Sequence, residues 1–337
     1  RKGRENGKYK SSNGLCFCAT IGKEVTRVGS LFTGYGGLDL AVGGDLAWYS
    51  EIEPAACQVL EHHFPGVPNL GDITKIDWTQ VEPVDVITGG YPCQPFSHAG
   101  NRKGKKDDRH LWPYVREAIR TIRPDYAILE NVRGHLTLGL TEVLGEIASI
   151  GFNAEWSTFR ASEIGAPHRR ERIFIVASNP DGAGWSERGR SIAVPKKHTS
   201  TERAGNAATN TDGSRHGQQL LPAGMVGLES EAASEAQQRE RTREVIDTGS
   251  VSNSFGEYTD AIVRWEQLTR PAPDATILVN DKRRLNSVFV EWMMGLSEGW
   301  VTGHGLSNAK ELKMLGNGVC PQQARAAING LILRSAP

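Results

Sequence analysis

The chain has 337 residues, 38% of them hydrophobic, with 39 Lys and Arg against 39 Asp and Glu. That length carries one large core and a smaller module beside it, while the balanced charge excludes a global basic field, so any polyanion must be held by local patches. The five cysteines are scattered and odd in number, which fits a reducing cytosol rather than a disulfide framework, and Cys16 and Cys18 form a CxC with no second pair, so no metal site is expected.

The basic opening RKGRENGKYKSSNG leads into no apolar stretch, and no long apolar run follows it. A cytoplasmic protein without a membrane partner is expected, with residues 1–24 as a loose polar tail. From Thr26 onward short apolar runs alternate with helical periodicity. TRVGSLF and LAWYSE read as strands, PAACQVLEHHF as a helix, VDVITGG as a strand, HLWPYVREAIRTI as a helix and YAILENV as a strand. GFNAEWSTFRA and RIFIVAS add two more strands, ending near Ser178. This alternation predicts an α/β fold on a doubly wound, mostly parallel sheet. From Pro180 to about Asp281 the composition turns to Gly, Ser, Thr, Asn, Gln and charge, the mark of a second, smaller, loop-rich domain without fixed order between about Glu187 and Thr248. LNSVFVEWMMGL then resumes helical periodicity, and CPQQARAAINGLIL makes a last amphipathic helix able to return to the first domain. The expected division is a tail over 1–24, a first domain over 25–179 plus 300–337, and a second domain over 180–299.

The residues that follow each predicted strand form the candidate site. After the first comes Phe32-Thr33-Gly34-Tyr35-Gly36-Gly37, a glycine turn where bare backbone can approach a ligand. Glu51 follows the second, Asp72 the third, Cys93 the fourth, and Glu130-Asn131 the fifth. Each alone has an ordinary reading as a turn, a helix cap or a solvated carboxylate; their convergence on the sheet edge where open α/β folds bind ligands points to a site. Cys93 stands between Pro92 and Gln94-Pro95, in a loop that continues neither strand nor helix, where a thiol can serve as nucleophile or stand by inert. Glu51, at the end of the second strand, suits a carboxylate on ribose hydroxyls. Asp39 occupies the place of the third glycine in GxGxxG, which disfavours a pyrophosphate-binding dehydrogenase. A nucleoside without a diphosphate fits better, adenosine carrying a sulfonium above all.

Taken in order, FTGYGGLDLA, Pro92-Cys93-Gln94, Glu130-Asn131-Val132, His168-Arg169-Arg170-Glu171-Arg172 and Leu315-Gly316-Asn317-Gly318-Val319 resemble the motifs of the DNA (cytosine-5) methyltransferases, over Val28 to about Ser178 and Arg284 to the C-terminus. TDAIVRWEQLTRPAPDA followed by LNSVFVEWMMGLSEGW further resembles enzymes carried by actinobacterial phages and prophages. The resemblance implies the S-adenosylmethionine-dependent methyltransferase fold, with the 180–299 domain recognising the target. It implies S-adenosylmethionine held by Phe32, Gly34, Gly36, Gly37, Glu51, Ile52, Asp72 and Asn317. It also implies Cys93 as the nucleophile at cytosine C6, Glu130 at N3, Arg172 at O2 and Arg170 as a brace; the motif's glutamine is replaced here by His168. The partner is duplex DNA from which the target base is flipped, contacted through Gln94, Ser97, Arg102 and Lys103 of a mobile glycine- and lysine-containing loop. A monomer, with a cognate restriction endonuclease as a candidate companion, completes the expectation. The alternatives are an RNA cytosine methyltransferase and a catalytically silent DNA-binding homologue; retention of both Cys93 and Glu130 speaks against the silent form.

Overall fold

The computed structural model describes residues 25–92, 111–182 and 255–335. Apolar runs long enough for one pass across a core make the strands: β1 Arg27–Leu31, β2 Asp45–Ser50, β3 Val86–Gly89, β4 Tyr126–Val132, β5 Asn153–Phe159 and β6 Arg172–Ser178. They form one sheet in the order β2-β1-β3-β4-β6-β5. The pairs β1–β2, β1–β3 and β3–β4 are parallel, while β6 runs antiparallel to both β4 and β5. The sheet is thus doubly wound and mostly parallel, as the alternation of elements predicts. One predicted strand is a correction: the segment ahead of Asp72 is reduced to a single parallel bridge between Tyr49 and Asn69. Pro68 and Gly66 interrupt that stretch, and a proline lacks the N–H that a ladder needs.

The helices are α1 Gly37–Val42, α2 Pro54–His63, α3 Trp112–Ile122, α4 Leu140–Ser149, α5 Thr259–Leu268, α6 Ser287–Met293, α7 Asn308–Asn317 and α8 Pro321–Ser335. On one face of the sheet, Leu31, Ile87, Ala127, Leu129 and Ile175 pack with Val115 and Ile119 of α3 and Val143 and Ile147 of α4. On the other face, Val28, Val86, Ile128, Phe174 and Val176 pack with Leu38 and Ala41 of α1 and Ala324, Ala327, Ile328 and Leu331 of α8. The last helix therefore returns to the first strands, and Arg325 fastens it by donating from Nε and Nη2 to the carbonyls of Ala41 and Leu40 at 3.2 and 2.6 Å. A third apolar cluster joins Tyr35, the α2 residues Ala55, Ala56 and Val59, and Met294, Leu296, Trp300 and Val301.

By packing, the chain divides into one unit of residues 1–192 and 257–337 and a second of residues 193–256. Almost all of the second lies outside the described residues, and the expected recognition segment 180–299 runs across both. Within the first unit, Trp265 of α5 donates its indole N–H to the Trp292 carbonyl of α6 at 2.9 Å, and Trp292 donates to the Arg270 carbonyl at 2.8 Å. Antiparallel β7 Thr276–Val279 and β8 Lys282–Leu285 make a separate two-stranded hairpin. Among the described residues no helix is long and apolar enough to cross a membrane.

Leu331 is fully buried among both sheet strands and α1. Leu331→Ala should lower the free energy of unfolding by about 2–5 kcal/mol, the usual cost of a large-to-small change in a packed interior. Chemical denaturation reads it directly; a loss well below that range would contradict the packing of α8 against the sheet.

Candidate active site

The carboxyl ends of β1, β2, β3 and β4 meet along one edge of the sheet. Because β6 runs the other way, its first residue arrives at that same edge: Val132, the last residue of β4, pairs with Arg172. Same-face neighbours in a sheet are two residues apart, so Glu130 and Arg172 project together. The Arg172 Nε lies 3.0 Å from Glu130 Oε1. Gly90, at the end of β3, closes the other side, for a Cβ there would stand 3.4 Å from Glu130 Oε2.

Glu130 is 7% exposed. Burial penalises its charged form by more than Arg172 and Arg170 favour it, and the carboxyl is raised from the usual 4.5 to about 7. A carboxyl that keeps its proton near neutral pH can donate a hydrogen bond as well as accept one. Arg172, itself lowered chiefly by burial and by neighbouring Arg170, also donates from Nη1 to the Glu171 carbonyl at 3.0 Å.

The approach to the Cys93 loop is held from two sides. Asn131 Nδ2 donates to the Tyr91 carbonyl at 3.0 Å, while the Tyr91 hydroxyl lies 2.7 Å from His135 Nε2. His135 Nδ1 faces the Leu138 carbonyl at 2.9 Å. A carbonyl only accepts, so Nδ1 carries the proton, and Nε2 must accept from Tyr91. Burial lowers the His135 pKa and favours this neutral form. Cys93, Gln94, Ser97, Arg102 and Lys103 lie outside the described residues, as do Cys16 and Cys18.

The glycine turn after β1 is built from strained and compact backbone. Phe32 holds a left-handed φ of 53°, Gly34 one of 58°, and Gly36, which precedes α1, one of 81°. Glu51 anchors the turn by accepting from the amides of Gly34 through Oε2 and of Ile52 and Glu53 through Oε1, each at 2.8 Å. A carboxylate offers about four lone-pair sites, so one remains for a ligand hydroxyl. Ile52 beside it is 69% exposed, an apolar face at the rim. Asp72 caps the 3₁₀ turn Ile73–Lys75, accepting from the Thr74 amide at 3.0 Å and hydroxyl at 2.8 Å, which hold its carboxyl below the usual range. Asp39 turns inward instead, accepting from Ser30 Oγ at 2.8 Å and Thr88 Oγ1 at 2.5 Å, and ties α1 to β1 and β3.

The C-terminal segment completes the turn. Tyr35 is fully buried; its hydroxyl donates to the Val319 carbonyl at 2.7 Å, and its own carbonyl accepts from Trp300 Nε1 at 2.8 Å. Arg170 donates from Nη2 to the carbonyls of Gly316 at 2.9 Å and of Gly318, tying the residues ahead of β6 to the end of α7. Asn317 is exposed at that end. His168, standing where the resembled motif has glutamine, faces the Met293 carbonyl through Nε2 at 3.0 Å, and burial lowers its pKa. The structure thus gathers Phe32, Gly34, Gly36, Gly37, Glu51 and Ile52 at the glycine turn, and Glu130 with Arg172 farther along the same edge. Tyr91, His135 and Trp300 were not singled out from sequence, and Tyr35 and Asn131 were read only as members of their motifs. Asn131 and Tyr91 adjoin motif residues, but the His135 and Trp300 contacts span 44 and 265 positions and leave no local pattern.

A family model described as C-5 cytosine-specific DNA methylase matches residues 26–332. The Type II methyltransferase M.NgoBV of Neisseria gonorrhoeae is 35% identical over 150 residues, covering 41% of this chain and 36% of that protein. The Type II methyltransferase M.NlaIV of Neisseria lactamica is 36% identical over 141 residues, 38% of this chain and 33% of that one. The matches span well under half of these relatives. In structure, the chain is similar to the Dnmt2 methyltransferase of S. pombe, with a TM-score of 0.56 over 92% of this chain and 99% of that one; at 17% identity this is a likeness of fold.

At Gly318 an added Cβ would overlap the Tyr35 ring. Gly318→Ala should therefore cost about 1–3 kcal/mol by overpacking, with the melting temperature falling. A variant as stable as the parent would mean that Tyr35 does not fill that space.

Proposed function

Because the chain belongs to the C-5 cytosine-specific DNA methylase family, we propose that it methylates C5 of a cytosine flipped out of a specific short sequence in duplex DNA, with S-adenosylmethionine as donor. The observation that carries the mechanism is the buried carboxyl of Glu130, raised to about 7 beside Arg172 and Gly90.

Cytosine C5 is a weak nucleophile until the ring gains electrons by covalent addition at C6. In this reading the Cys93 thiolate forms that S–C6 bond. Glu130 donates its proton towards N3 as the bond forms, so the electron pair displaced from the C5–C6 double bond is accommodated in the ring. Arg172 has five N–H donors, of which those not facing Glu130 and the Glu171 carbonyl serve cytosine O2. Arg170 braces the edge through α7. After transfer, loss of the C5 proton to water restores the double bond and expels the Cys93 sulfur as thiolate, and N3 returns its proton to Glu130.

The glycine turn fits the donor: backbone free of side chains at Gly34 and Gly36, the remaining lone pair of Glu51 for a ribose hydroxyl, and exposed Ile52 with Phe32 for the adenine faces. Asp72 and Asn317 are assigned to the same pocket, Gly37 to the turn. When bound, S-adenosylmethionine supplies the electrophilic methyl group. Gln94, Ser97, Arg102 and Lys103 are assigned to the DNA, and the 180–299 segment to target recognition. The enzyme is proposed to act as a monomer in the cytoplasm of a bacterium or phage-infected cell, with a restriction endonuclease as candidate companion; base flipping by a single chain needs no second copy.

The test incubates the protein with unmethylated genomic DNA, or with RNA, and methyl-labelled donor, followed by nucleoside mass spectrometry. Label in 5-methylcytosine of DNA, lost in Cys93→Ala while donor binding persists, is expected. Label confined to RNA, or undiminished turnover in Cys93→Ala, would overturn the reading.

A further inference from the structure

The β7–β8 hairpin is an unusual piece of surface. Its strands pair over Thr276–Leu285, Ile277–Arg284, Leu278–Arg283 and Val279–Lys282, closed by Asn280 and Asp281 at φ of 51° and 59°. Two left-handed residues in a two-residue loop are what a tight hairpin of right-handed twist requires. All four residues of β8 are exposed, and Leu278 is 73% exposed. A lone two-stranded ribbon is marginal in water, and this one presents no buried face.

Its charge is equally one-sided. Lys282, Arg283 and Arg284 are consecutive, against the single carboxylate of Asp281, and none of the three cations forms an ion pair among the described residues. Alternation in a strand sends Arg283 to one face of the ribbon and Lys282 and Arg284 to the other. A ribbon with cations on both faces is complementary to a slot with two anionic walls. The major groove of duplex DNA is such a slot, about 12 Å wide, bounded by two phosphate backbones and able to admit a two-stranded ribbon.

The hairpin base is fixed to the catalytic unit. The Asn286 amide and Nδ2 donate to the carbonyls of Ala275 and Asp274 at 3.0 and 2.8 Å, and Asn308 Nδ2 donates to the Leu285 carbonyl at 3.0 Å. Asn308 opens α7, whose far end is Asn317 at the glycine turn. At 1.5 Å per residue the two ends are about 14 Å apart, within the footprint of one duplex.

We propose that the β7–β8 hairpin is a groove-seated DNA clamp in which Lys282, Arg283 and Arg284 grip the phosphates on both walls, adding affinity and orientation that do not depend on sequence. This deepens the DNA reading above and rests on it. It is separable from base recognition, because phosphate contacts weaken binding to all sequences alike.

The test measures binding of the full chain to short mixed-sequence duplexes across a salt series, for the parent, Arg283→Gln/Arg284→Gln and Arg284→Glu. Each lost phosphate contact should flatten the slope of log affinity against log salt by about 0.9. The double variant should therefore lose slope by about 2 and bind about tenfold or more weakly at low salt, with melting temperature and donor binding unchanged. Arg284→Glu should weaken binding through repulsion. A parent that binds duplex while both variants keep its affinity and slope overturns the clamp and leaves the methyltransferase reading intact; so does a change in oligomeric state at unaltered duplex affinity, which would make the ribbon an interface between copies. A parent that binds no duplex overturns both.

Discussion

A carboxyl taken out of water resists ionisation, and at Glu130 that resistance outweighs two nearby guanidinium groups. The local architecture serves to keep the group buried yet braced. β3 ends in glycines, so no side chain fills the space beside Glu130 Oε2. β4 delivers the group at its last turn of buried backbone, and β6, running antiparallel, brings Arg172 back to the same edge. Removing Glu130 is costly, since it leaves the Arg172 guanidinium without its carboxyl partner, whereas removing Arg172 takes away an influence that lowers the Glu130 pKa and leaves the carboxyl protonated.

The second dependence is on the C-terminal segment. Tyr35 cannot sit in the glycine turn unless Gly318 leaves room for its ring, Val319 accepts its hydroxyl and Trp300 caps its carbonyl. Arg170 joins that assembly to the edge that bears Glu130. Residues separated by almost the whole described chain thereby shape one turn, and the packing of α8 on the sheet is what keeps them in place.

Much of this was legible in the sequence, because periodicity reports burial. The runs around Val28, Ile87, Ile128 and Ile175 are strands since nothing else buries both faces of so short a segment, and Leu331 sits where its amphipathic stripe requires. The failure before Asp72 has a local cause in Pro68 and Gly66. Reading only the residues after each strand also favours parallel sheets: Arg172 opens its strand and reaches the edge because β6 is reversed, which no local pattern announces. The Tyr91–His135 contact and the trio of amides on Glu51 depend on folded geometry. Composition from Pro180 onward left α5 and the hairpin unassigned: Trp265 of α5 is buried against Trp292, 27 positions on, while the apolar residues of the hairpin, such as Leu278, stay exposed.

The most direct test of the central claim is the titration of the Glu130 carboxyl by carbon-13 NMR, assigned through its disappearance in Glu130→Gln. A midpoint near 7 is expected. By linkage, a raised pKa contributes stability that is fully present below about 4.5 and is lost as pH rises through about 7, so the pH dependence of unfolding should flatten in the same variant. A midpoint at the ordinary carboxylate value of 4.5 would mean that the arginines fully offset burial, and that Glu130 meets its substrate as an anion unable to donate the proton assigned to it.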